Sequence, residues 1–212
     1  MALDLEEQEQ VAELKAWWNQ YGTLVVAVAA GALIALGGWQ GWRWTQQRQA
    51  QEASVLFDTL TRGAQAGDAK AVRDAAGALI ESYPRSLYAA MGALSSARFH
   101  FDRGDLKTAK VQLGWAAENA RADEFRDLAR LRLAGVLLDE KAHDEALKLL
   151  EAPHIEGLDA QYGALRGDIL LAKDQRAEAR ASYRAALDKA EKNRENAAFR
   201  ESLRMRLEAL GS

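Results

Sequence analysis

The chain has 212 residues, enough for one medium domain and an appendage. Its 28 basic and 31 acidic side chains leave a net charge of −3, which excludes the broadly basic surface that nucleic acid binding requires. Cysteine is absent, which excludes disulfides and thiolate metal sites, and the only prolines are Pro84 and Pro153 in a chain rich in alanine, leucine, arginine and glutamate, a helix-forming composition.

Residues 1–20 read as an acidic leader, with Asp4, Glu6, Glu7, Glu9 and Glu13 set against Lys15. From Ala16 to Trp42 no residue is charged, and the run YGTLVVAVAAGALIALGG fills Tyr21 to Gly38. About 20 helical residues cross the roughly 30 Å hydrocarbon core of a bilayer, so a transmembrane helix is predicted over 21–44. Trp17, Trp18 and Tyr21 flank one end and Trp39, Trp42 and Trp44 the other; such amphipathic rings favour the boundary between water and lipid. An acidic leader and a tryptophan belt behind the apolar run argue against a cleaved signal peptide. Ala27, Gly31 and Ala35 recur every fourth residue, and Gly37 and Gly41 form a GxxxG pair, spacings that let two membrane helices approach closely. Orientation stays open: Lys15 and the amino terminus stand against Arg43 and Arg48, and the positive-inside rule does not choose between them.

Residues 45–212 form the second part, close to neutral. Apolar residues recur there at three and four, with no strand-like alternation, so the chain is predicted all-α. Breaks near Gly67, Pro84, Gly104, Asn119 to Asp123, Lys141 to His143, Pro153 to Gly157, Asp174 and Asn193 cut it into about nine helices. Ala109, Ala146 and Ala179 lie 37 and 33 residues apart at matching places, and Ala71 extends the series backwards. Small residues where two helices cross, Ala97 or Gly167 against Ala109 or Ala179, let the helix axes close up. These marks resemble degenerate tetratricopeptide repeats, a solenoid of helix pairs. The signature tryptophan is missing, the spacing varies, and His143 to Glu151 makes a short second helix. Ala197 to Leu210 reads as a terminal covering helix, with Phe199, Leu203, Leu207 and Leu210 on one face.

No catalytic constellation emerges. His100, His143 and His154 are scattered without ligand spacing, glycines stand singly rather than in a phosphate loop, and Asp139 beside Glu140 faces a different way on a helix. No enzyme activity, cofactor or metal is expected. Solenoids of this kind bind along a concave groove lined by the first helix of each repeat. Arg98, Phe101, Asp102, Leu138, Asp139, Asp168 and Leu171 are the expected groove residues.

End to end, the acidic EEQEQVAELKAWWNQYG, the span closing on GWQGWRW, and the repeats SLYAAMGALSSARFHFDRGDLKTA, LARLRLAGVLLDEKAHDEALKLLE and YGALRGDILLAKDQRAEARASYRAAL resemble the YfgM-type ancillary subunits of the SecYEG translocon. The resemblance implies a single-pass bacterial inner-membrane protein with its N-terminus in the cytoplasm and its repeat domain in the periplasm. It also implies contact with SecYEG and the membrane-anchored foldase PpiD, and a role in passing exported proteins to periplasmic chaperones. Two other readings remain open, a membrane-anchored scaffold for cell-envelope assembly and a regulator facing the cytoplasm, neither touching the translocon.

Overall fold

The computed structural model describes residues 2–211, without the side chains of residues 2–9, 11 and 29. The acidic side chains expected to mark the leader, Asp4, Glu6, Glu7 and Glu9, therefore lie outside the described set. Every regular element among the described residues is helical. Helix α1 runs Ala2–Ala66, and the boundaries expected after residues 20 and 44 both fall inside it. Two compact units divide at Gln49 and Ala50.

The first unit lies within α1, and the large apolar side chains described there are exposed. Leu33 and Ile34 are 70% and 76% exposed, an arrangement that lipid rather than water satisfies. Trp17, Trp18 and Tyr21 cluster at one end, with Trp17 and Tyr21 ring centroids 5.8 Å apart. At the other end Arg43 lies over Trp39 and Arg48 over Trp44, at 5.0 and 5.6 Å. Tyr21 and Trp39 are 18 residues apart, about 27 Å along a helix, close to the thickness of the hydrocarbon core. α1 is the one described helix long and apolar enough to cross a membrane.

The second unit combines the end of α1 with α2 (Ala69–Ser82), α3 (Leu87–Phe101), α4 (Leu106–Asn119), α5 (Asp123–Asp139), α6 (His143–Leu150), α7 (Asp159–Ala172), α8 (Arg176–Lys192) and α9 (Ala197–Ala209). A short 3₁₀ turn over Glu156–Leu158 precedes α7. Antiparallel neighbours α3 and α4, α5 and α6, and α7 and α8 pair, and each pair stacks on the next, with α9 laid on α8.

One turn geometry joins α1 to α2, α3 to α4, α5 to α6, α7 to α8 and α8 to α9. A backbone N–H reaches back over five residues to a carbonyl: Asp68 to Gly63, Asp105 to His100, Ala142 to Leu137, Gln175 to Leu170 and Glu195 to Ala190, each at 2.9 Å. The residue before each donor sits at positive φ: Gly67, Gly104, Lys141, Asp174 and Arg194. This is the Schellman closure that satisfies orphan carbonyls at a helix end. Asp68, Asp105 and Asn196 then cap the next helix by accepting its first N–H groups.

Counted from these turns, the buried residues five places on are Val72, Ala109, Ala146 and Ala179, all 0% exposed. The sequence expectation that Ala71 opens the series is thus corrected by one residue. Gly167 meets the ring of Tyr183, one turn beyond Ala179. The short α6 leads into a segment pinned from below by Asp127, which is 2% exposed. Its carboxylate accepts the Ile155 N–H at 2.9 Å and a bond from Arg130 at 3.0 Å, while the Tyr162 hydroxyl donates to its backbone carbonyl at 2.8 Å. Burial, then the Asp127 charge, pushes the Tyr162 phenol up to about 12. His154 stacks flat on that phenol, centroids 3.8 Å apart.

Candidate functional site

The first helices of successive pairs, α3, α5 and α7, enclose a pocket of about 420 Å³. From α3 come Ala97, Arg98 and Phe101, with Asp102 capping its end, and from α5 come Arg132, Gly135, Val136, Leu138 and Asp139. Leu113 of α4 and Leu165 of α7 complete it. Residues four apart on a helix share a face, which is how Ala97 with Phe101, Arg98 with Asp102, and Arg132 with Val136 all reach one depression.

Five of the expected groove residues, Arg98, Phe101, Asp102, Leu138 and Asp139, line this pocket together. Two do not. Asp168 turns toward α8 and α9, accepting a 2.7 Å hydrogen bond from the Tyr183 hydroxyl and pairing with Arg206 at 3.3 Å. Its burial raises the carboxyl pKa, opposed by the Tyr183 bond and the Arg206 charge. Leu171 is exposed, 38%, outside the pocket. Arg132, Gly135, Val136 and Leu165 line the pocket without being among the expected residues. The sequence carries a signal for Gly135 and Arg132: they lie four and seven residues before Asp139, on the same helix face.

The pocket is apolar in its wall and charged at its rim. Phe101 remains 37% exposed, with Leu138, Val136 and Leu165 around the same space. Arg98 is committed to Asp102, its Nε donating to both carboxylate oxygens at 2.8 and 3.0 Å. Arg132 has no carboxylate partner among the described residues. The surrounding protein, and next the charge of Arg98, hold its guanidinium below its ordinary pKa. Such a site suits an extended polypeptide: an apolar trough for side chains, with charges to fix its register.

A second depression, about 530 Å³, opens beside the short α6 and is lined by Leu150, Tyr162 and Ala185 among others. Its Asp159 is already engaged by Lys189 at 2.6 Å and His154 at 3.3 Å. His100 lies outside both pockets, 1% exposed, with Nδ1 3.1 Å from Asp105.

In the membrane helix, a side chain at Gly31, Gly37 or Gly41 would meet nothing within 4 Å, so packing within the chain does not demand glycine there. At about 100° per residue, Ala27, Gly31 and Ala35 form one row, which Gly38 joins, while Gly37 and Gly41 lie roughly a quarter turn away.

The tetratricopeptide repeat-like domain family matches residues 15–212. An ancillary SecYEG translocon subunit of Neisseria gonorrhoeae is 30% identical over 99% of this chain and 100% of its own length. Proteins of the same name from Haemophilus influenzae and Escherichia coli are 29% and 28% identical; the first alignment covers 88% of this chain and 91% of the relative, the second 85% and 87%.

Proposed function

This chain belongs to the family of ancillary SecYEG translocon subunits with a tetratricopeptide repeat-like domain, and from that membership we propose that it is a non-enzymatic, membrane-anchored adaptor at the protein-export channel. The anchor holds the chain in the bacterial inner membrane beside SecYEG, with the N-terminus in the cytoplasm and the repeat domain in the periplasm. There the concave face receives extended segments of exported polypeptides and passes them on, together with the foldase PpiD, to periplasmic chaperones. The observation that carries this reading is the open pocket across α3, α5 and α7, whose exposed Phe101 and unpaired Arg132 are unused by the fold itself.

Site-specific photocrosslinking in cells tests it. A crosslinker at position 101 is expected to capture exported chains in transit, and one at position 31 translocon subunits. Capture of cell-envelope assembly factors in their place would favour an envelope scaffold. Arg43 and Arg48, at the C-terminal end of the apolar run, stand against Lys15 and the amino terminus, and the opposite orientation would make the chain a cytoplasm-facing regulator. Alkaline phosphatase fused to the C-terminus decides between the two: active enzyme supports the periplasmic domain, and inactive enzyme at normal abundance overturns it.

A further inference from the structure

The concave pocket is dipolar along α5. Arg132 and Asp139 are seven residues apart, two helical turns, and so project from one face about 10 Å from each other. Neither has an ion-pair partner among the described residues. The charge acting on Arg132 is the like charge of Arg98, which is itself tied to Asp102. One end of the pocket therefore offers an uncompensated guanidinium, and the other an uncompensated carboxylate. Gly135, between them on the same face, leaves the floor clear, since a side chain there would meet nothing within 4 Å. Phe101, Val136, Leu138 and Leu165 supply the apolar surroundings.

A polyproline II segment rises about 3.1 Å per residue with three residues per turn, so its side chains at i and i+3 share a face about 9 Å apart. That span matches the separation of the two free charges. We propose that the pocket selects extended polypeptide segments bearing an acidic and a basic residue three positions apart with an apolar side chain between them. The acidic residue pairs with Arg132, whose planar fork accepts a carboxylate in two-point fashion, and the basic residue pairs with Asp139. This rests on the reading that the concave face takes extended chain, and it adds which chain the face prefers.

The test uses the full chain in zwitterionic lipid nanodiscs and fluorescent octapeptides blocked at both ends. One peptide carries glutamate and lysine three apart around a leucine; a second has glutamine at both charged positions; a third sets the glutamate and lysine side by side. The first is expected to bind at least about tenfold tighter than the other two. Arg132→Gln and Asp139→Asn each remove that advantage, so that the first peptide binds the variant no tighter than the glutamine peptide does. Gly135→Leu, whose β-carbon would meet nothing within 4 Å, blocks all three peptides. If charged and glutamine peptides bind native chain equally and Gly135→Leu blocks both, the charge selection is overturned and the groove stands. If Gly135→Leu leaves all binding intact, or no peptide binds, the groove reading falls with it.

Discussion

The ring of Tyr183 occupies the space a side chain at Gly167 would need, and a β-carbon there would run into Cε1. Helices α7 and α8 close on each other only because position 167 has no side chain. Gly167→Ala is expected to cost about 1–3 kcal/mol of domain stability, the usual penalty of overpacking a filled core. Gly114 is the control. Nothing lies within 4 Å of its absent side chain, so Gly114→Ala should gain about 0.5–1 kcal/mol in helix α4. Urea unfolding followed by far-UV circular dichroism reads both.

The five repeated turns place glycine at two of their left-handed positions and Lys141, Asp174 and Arg194 at the others. A side chain at positive φ is strained, and aspartate tolerates it better than lysine or arginine. Lys141→Gly and Arg194→Gly should each stabilise the domain by about 0.5–1 kcal/mol, with Asp174→Gly gaining less. Gly104→Ala should lose about 1 kcal/mol. Equal unfolding midpoints across the set would show that the turns adopt another geometry in solution.

Asp127 holds the segment after α6 through the Ile155 N–H and holds Arg130 through its other oxygen. Asp127→Ala strands both donors and should destabilise by about 3 kcal/mol. Asp127→Asn retains one acceptor and should cost distinctly less. Hydrogen exchange at the Ile155 amide gives the local reading, with protection lost in the alanine variant.

His100 sets an acid limb on stability. Burial, the largest influence, lowers its pKa from 6.5, against the pull of Asp105, while Arg73 and Arg103 lower it further. A group whose folded pKa is depressed stabilises above its unfolded value and loses that contribution as the pH falls. The urea midpoint should therefore drop between pH 7.5 and 5.5, and His100→Gln should flatten the slope. A second drop belongs below pH 4. Hydrogen bonds from Thr108 lower Asp105 beneath 3.8, and Asp105→Asn should reduce that limb.

Helix positions were legible because each boundary carries its own local chemistry. Gly67, Gly104, Asp68 and Asp105 mark turns by backbone geometry and capping, which act over five residues. Lys141 and Arg194 carry no such mark, and there the break in apolar periodicity served. The one-residue error at Ala71 arose from aligning small side chains: the equivalent residue, Val72, is larger, and the shared turn, rather than residue size, fixes the register. Which side chains reach the concave face depends on how each pair rotates on the last, a long-range property. Hence Asp168, on the same helix as Leu165, turns instead to Tyr183 and Arg206. Arg132 is exposed in the structure too, and only the placing of α3 beside α5 shows that it borders the pocket.

A turn that recurs with the same hydrogen bond is also a splice point. The left-handed residues at 67, 104 and 141 are equally spaced by 37 residues, and each is followed by a helix with the same buried fifth position. A chain cut after one such residue and rejoined after the next would lose a whole helix pair without severing any helix. The array is thus built to be lengthened or shortened in units over evolutionary time, its reach set by how many copies are kept.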